Sequence, residues 1–159
     1  MSDRLTLLYA DDDLGDDPAT CRSCKALAWA FAQLDKTVTM DIARTGADTW
    51  RKLREKRYDA LILDIMMPQG EEDPANPVPQ AILDADFLVV GLALAKELIK
   101  LDSEVQPTKV LVYTASPLRE TIQAMEEIVA KQNGRWILLG KPCLNSELAE
   151  WIIGGNSCE

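Results

Sequence analysis

Carboxylates, a hydroxyl and an ammonium stand at the ends of short apolar runs in this 159-residue chain. Leu5 to Ala10 (LTLLYA) runs into Asp11, Asp12 and Asp13, and Ala60 to Leu63 runs into Asp64. Lys109 to Tyr113 (KVLVY) ends at Thr114, and Trp136 to Leu139 is followed by Gly140, Lys141 and Pro142. Taken singly, each has an ordinary explanation. A strand-end Asp is usually a cap or turn residue, Thr114 a strand residue and Lys141 a solvated charge. Their meaning depends on whether the fold brings them together. Acids crowded at one edge repel one another unless protons or a cation intervene.

The elements between them predict convergence. An unbroken apolar run as short as Ala60–Leu63 fits a strand buried on both faces, as in a parallel sheet flanked by helices. Asp17 followed by Pro18 has the form of an N-cap with proline at the first helical position. With Leu27, Ala28, Phe31 and Leu34 at helical spacing, a first helix is expected over 18–35. Val38–Ala43 reads as the second strand. Thr45 and Asp48 have capping-box spacing, and Ala47, Trp50 and Leu53 form the inner stripe of the next helix. Helical spacing resumes at Phe87, Gly91, Leu94, Leu98 and Leu101. Ser116–Pro117 then opens a helix with Ile122, Met125 and Val129 inside, and Gly134 stops it. Asn145 or Ser146 caps a last helix packed through Leu148, Trp151 and Ile152. Strands alternating with helices in this way give a right-handed βα chain and a doubly wound parallel sheet. All carboxyl ends then share one edge, where ligands bind in open α/β sheets.

Composition narrows the function classes. The length fits one domain. A net charge of -9 argues against binding a phosphate backbone, which needs a basic face, and against anionic membranes. The longest apolar run, Phe87–Ala95, is far short of the roughly 20 residues that span a bilayer. Met1–Asp13 turns acidic too soon for a signal peptide, and four cysteines without a leader fit a reducing compartment. A cytoplasmic location is the expectation. Cys21 and Cys24 make a CxxC at a helix start; without a second spaced pair for zinc, helix packing explains them more simply than metal or redox use.

The motifs YADDD, LILDIMMP, VYTAS and LGKP, in that order, resemble those of the receiver domain of two-component response regulators. The segment RTGADTWRKLREKRYDALILDI adds to the match, and the resemblance spans 1–153 apart from an insertion. It implies a flavodoxin-like (βα)5 fold of strand order 2-1-3-4-5. It implies Asp64 as phosphoacceptor, and magnesium held by Asp11, Asp12, Asp64 and the Met66 carbonyl. Thr114 would bond the phosphoryl group and Lys141 would neutralise it. Pro142 often follows the lysine through a cis peptide in this family. The donor implied is a phosphohistidine on a histidine kinase or histidine phosphotransfer protein; this chain has no histidine. Homodimer or partner contacts are implied through the fourth helix, fifth strand and fifth helix, with no nucleic acid bound by this chain and no separate output domain.

Physical chemistry supports that reading. Magnesium prefers hard oxygen ligands, an Asp can act as a nucleophile toward phosphorus, and phosphoryl transfer depends mainly on positioning and charge neutralisation. A bond from Thr114 to a phosphoryl oxygen is expected only after modification, which would bias a conformational equilibrium. Enzyme activity beyond self-phosphotransfer and slow autodephosphorylation is not expected. The competing classes are a magnesium-dependent aspartyl phosphohydrolase and a receiver-like module that is never phosphorylated.

Two features depart from the family pattern. Gln69–Asp86, rich in acids and prolines, separates Pro68 from Gly91, the counterpart of the family's glycine opening the third helix. Such a loop is expected to be a lid or a partner surface, with a passive insertion as the alternative. Leu138 occupies the position where the family often has a switch Tyr or Phe; Trp136 shares its strand face by period two and is read as core. A loose tail is expected at 154–159.

Overall fold

The computed structural model describes residues 3–154. The tail residues beyond Gly154, Cys158 among them, lie outside the described residues. One sheet is built from β1 (Arg4–Ala10), β2 (Thr37–Ala43), β3 (Ala60–Leu63), β4 (Lys109–Thr114) and β5 (Trp136–Gly140), in the order β2-β1-β3-β4-β5. Every pairing is parallel. The helices are α1 (Arg22–Ala32), α2 (Gly46–Glu55), α3 (Gln80–Leu83), α4 (Val90–Leu98), α5 (Arg119–Ala130) and α6 (Asn145–Ile153), with a 3-10 turn at Phe87–Val89. The extra helix, α3, comes from the insertion, so the expected fourth and fifth helices are α5 and α6.

Two cores follow from the period-two alternation of buried strands. Leu7, Tyr9, Ile62, Leu111 and Tyr113 face α1 and α6, which contribute Leu27, Phe31, Leu148 and Trp151. Leu8, Leu61, Leu63, Val110 and Val112 face the other way, onto Trp50 and Leu53 of α2, Leu94 and Leu98 of α4 and Met125 of α5. Each fully buried leucine contributes about 1.5–3 kcal/mol relative to exposure. No helix among the described residues is long and apolar enough to cross a membrane.

Helix starts are where expectation and structure part. Thr45 does cap α2, its hydroxyl accepting from the Asp48 N–H at 3.0 Å. Asp17 caps nothing; it closes a turn in which its carboxylate accepts from Ala19 N–H and its carbonyl from Thr20 and Cys21 N–H. α1 therefore begins about one turn late, capped by Cys21, and Leu34 falls past its end, where it is exposed. Likewise α5 starts after Leu118 rather than at Ser116–Pro117, and α6 is capped by Leu144 rather than Asn145 or Ser146. Phe87, expected inside, is exposed, because the helix proper starts only at Val90.

The insertion is folded onto α2. Gly46 and Ala47 donate their N–H groups to the carbonyls of Pro68 and Gln69. The Arg51 guanidinium donates to the carbonyls of Asn76 and Glu71 at 3.0 and 2.7 Å. Ile82 of α3 is fully buried in the core shared with α2 and α4. A segment rich in acids and prolines thus supplies one core side chain. The tether runs to the α2 side of the molecule.

Candidate functional site

The reversal of strand order places β1 beside β3, and the chain leaves both at the same sheet edge. Such a switch point is where open α/β sheets bind ligands. The sheet ladder runs past the strands and fixes the site's backbone. Asp11 N–H donates to the Ala43 carbonyl at 3.0 Å, Asp64 N–H to Ala10 at 2.9 Å, and Lys141 N–H to Thr114 at 2.9 Å. The side chains expected to act together are therefore set by strand register.

Below Asp64, α4 must pack against backbone. The Gly91 N–H donates to the Ile65 carbonyl at 2.8 Å. A Cβ at Gly91 would collide with the Asp64 carbonyl oxygen and the Ile65 Cα. Glycine at this position is required by the close approach, and it brings the start of α4 directly under the Asp64 peptide.

The Asp64 carboxylate, 6% exposed, is held on both oxygens. Thr114 Oγ1 donates to Oδ1 at 2.7 Å, and Lys141 Nζ donates to Oδ2 at 2.9 Å. Lys141 also donates to Asp11 Oδ2 at 2.6 Å, so one ammonium bridges two buried acids. Burial alone would lower the Lys141 pKa; hydrogen bonds and charge from Asp11 and Asp64 raise it instead. Met66 N–H adds a weaker bond to Asp64 Oδ1 at 3.3 Å. Thr114 bonds the unmodified Asp64 carboxylate, a contact the sequence did not indicate, and its oxygen also accepts from Ser116 N–H at 3.2 Å. The buried hydroxyl lies between strand end and following loop, where a neighbouring carboxylate is the acceptor at hand.

Asp11, Asp12 and Asp13 bring carboxylate oxygens within 4.8 Å of one another. Asp11 Oδ1 accepts from Asp13 N–H at 2.9 Å, folding the acids into a turn. Burial, followed by the charges of Asp13 and Asp11, pushes the Asp12 carboxyl above its usual range. Asp13 belongs to the cluster, although the expected metal set omitted it. These are all hard oxygen donors in a field that disfavours further negative charge, so the residues fit a hard divalent cation.

The Lys141–Pro142 peptide is cis, as the family resemblance implied. Other positioning groups escaped the sequence reading. Tyr113 pins the loop that follows: its hydroxyl accepts from Cys143 N–H at 2.8 Å and lies 3.3 Å from the Cys143 carbonyl. Its ring centroid lies 5.4 Å from the Lys141 ammonium. The available signal was an aromatic directly before Thr114. Arg44 holds the acidic turn from outside, donating to Asp16 at 2.6 Å and to the Asp12 carbonyl at 3.1 Å. Trp136 is buried in the core, as read. Leu138 instead lines an open groove of about 650 Å³ between α5 and β5, together with Thr114, Ile122, Val129 and Lys141.

The sheet order, the helices on both faces and full-length structural matches define the fold as that of CheY-like receiver domains. The chain matches the receiver domain of the Francisella response regulator 1452 at 20% identity, over 94% of this chain and 93% of that one, with a TM-score of 0.54. A CheY-like receiver domain from Methanospirillum hungatei JF-1 matches at 18% identity, over 94% and 90%, with a TM-score of 0.59. The receiver domain of a signal transduction histidine kinase from Syntrophus aciditrophicus matches at 20%, over 94% and 87%, with a TM-score of 0.57. No protein-family model and no curated protein sequence matches the chain.

Proposed function

We propose that the chain is a phosphoryl-accepting receiver of a two-component or phosphorelay system, with Asp64 as acceptor. One observation carries this reading: both oxygens of the buried Asp64 carboxylate are held by the hydroxyl of Thr114 and the ammonium of Lys141, beside a three-acid cluster. The donor is a phosphohistidine on a histidine kinase or phosphotransfer protein, and the protein acts through altered protein–protein contacts in the cytoplasm.

In the transfer, an Asp64 oxygen forms a bond to phosphorus as the bond from phosphorus to the donor imidazole breaks, its electron pair returning to the imidazole nitrogen. Asp11, Asp12, Asp64 and the Met66 carbonyl would hold magnesium, which when bound neutralises charge on the phosphoryl oxygens. Lys141 shifts its donated bond from the carboxylate to a phosphoryl oxygen and remains paired with Asp11. Thr114 likewise transfers a bond rather than gaining one. Because its oxygen also accepts from Ser116 N–H, movement of the hydroxyl pulls on the loop that leads into α5. The groove at Leu138 borders that loop and would change shape with it. No strong general base stands at Met66 or Ser116, so hydrolysis of the acyl phosphate is slow and the chain acts as a switch rather than a turnover enzyme.

The reading is tested by NMR with magnesium and beryllofluoride. Saturable shifts should centre on Asp64, Thr114 and Lys141, vanish in Asp64→Asn and weaken in Asp12→Ala. An unchanged spectrum would sink the proposal. Multiple turnover on small phosphoesters would instead identify a phosphohydrolase.

A further inference from the structure

The CxxC at the start of α1 is not used by the phosphoryl site. Cys21 is the N-cap, with extended backbone (φ -69°, ψ 121°), and its sulfur accepts from the Cys24 N–H at 3.5 Å. That geometry folds the Cys21 side chain back over the first helical turn, its sulfur facing the Cys24 backbone N–H. A sulfur is a weaker acceptor than an oxygen, and Ser, Thr, Asp or Asn would cap this helix better. Capping alone therefore does not explain cysteine here. Both residues are buried, Cys21 at 6% and Cys24 at 1% exposure, and among the described residues neither is in a disulfide.

The two sulfurs are chemically unlike. Hydrogen bonds from Cys24 and from the backbone of Gly15 and Ser23 outweigh burial and lower the Cys21 pKa. Burial pushes the Cys24 thiol up to about 12. A cysteine capping a helix N-terminus, its sulfur held on the N–H of a second cysteine three residues on, is the spacing that supports thiol–disulfide exchange.

We infer that Cys21 and Cys24 form a redox-active dithiol that exchanges with small-molecule disulfides to give an intramolecular disulfide. Cys21, as thiolate, attacks one sulfur of the small disulfide and releases one thiol, leaving a mixed disulfide at Cys21. Cys24 then gives up its proton and attacks the Cys21 sulfur, expelling the second thiol. Two protein thiols are oxidised, and one small disulfide is reduced to two thiols. The bond would close the first turn of α1, which follows the loop from Leu14 that ends the acidic turn.

The test uses the full chain, reduced and then equilibrated in graded mixtures of reduced and oxidised glutathione, quenched in acid, alkylated and peptide-mapped. The expected product loses two hydrogens and two alkylation sites, both within the peptide carrying Cys21 and Cys24. In the reduced protein, limiting iodoacetamide should label Cys21 at least about tenfold faster than Cys24. Cys21→Ser retains a preferred cap, and Cys24→Ala removes only the partner thiol; either variant should stop at a mixed disulfide or remain reduced. Full alkylation of both cysteines across all mixtures would overturn the inference. So would pairing to Cys143 or Cys158, or a disulfide no more stable in the folded protein than in urea.

Discussion

Replacing Lys141 with methionine removes a charge while keeping most of the side chain's volume. The ammonium lies 2.6 Å from Asp11 and 2.9 Å from Asp64, whose side chains are 5% and 6% exposed. Its loss leaves two buried carboxylates facing one another. Breaking a buried ion pair by removing one partner costs about 3–5 kcal/mol. Lys141 itself is 21% exposed, and Thr114 and the Asp13 N–H continue to hold the acids. The lower end, about 3 kcal/mol, is therefore expected. The pH dependence of the lysine's contribution has a definite direction. The raised lysine pKa means that its contribution is fully present below the ordinary lysine value and is lost only as pH rises through the raised one. Urea unfolding in a chelator, followed by tryptophan fluorescence, measures the cost. Adding Asp64→Asn to the variant should recover part of the loss. A cost below about 1 kcal/mol would refute the claim that the two acids depend on this cation.

Three further outcomes follow from the geometry. Gly91→Ala drives a methyl into the Asp64 carbonyl oxygen and Ile65 Cα, and overpacking against backbone should cost about 3 kcal/mol; an unchanged melting temperature would contradict the close approach. Arg51→Ala releases the carbonyls of Glu71 and Asn76, so hydrogen exchange across 71–76 should quicken while global stability falls by less than about 1 kcal/mol. Asp41 accepts from the Tyr58 hydroxyl at 2.7 Å and pairs with Lys56 at 2.9 Å, which together outweigh burial and lower its pKa. Its contribution is present above the unfolded value and lost as pH falls through the folded one, so Asp41→Asn should cost about 1 kcal/mol or less near neutrality and nothing in strong acid.

Strand ends were readable because a buried strand needs an apolar run; those of β1 and β3 stop abruptly at Asp11 and Asp64, and that of the edge strand β5 stops at Gly140, one residue before Lys141. Once the βα alternation was seen, topology alone placed these residues at one edge. Helix starts were less readable because their caps are unusual. Cys21, Leu118 and Leu144 are not preferred N-caps, whereas Asp17–Pro18 has the form of a cap and makes a turn. The burial of Ile82 depends on α2 and α4 closing around it, which no local pattern encodes. The existing bond from Thr114 to Asp64 was missed for a related reason. It depends on how far the β4 strand end sits from β3 in three dimensions, and on Ser116 holding the hydroxyl in place.

The central claim, that Asp64 accepts phosphoryl groups, is tested most directly by intact mass after incubation with magnesium and acetyl phosphate, with borohydride reduction to mark the modified carboxyl. A single phosphoryl addition is predicted, mapped to Asp64, absent in Asp64→Asn and absent when the metal is chelated. Labelling that survives Asp64→Asn, or maps to another carboxylate, would contradict the account.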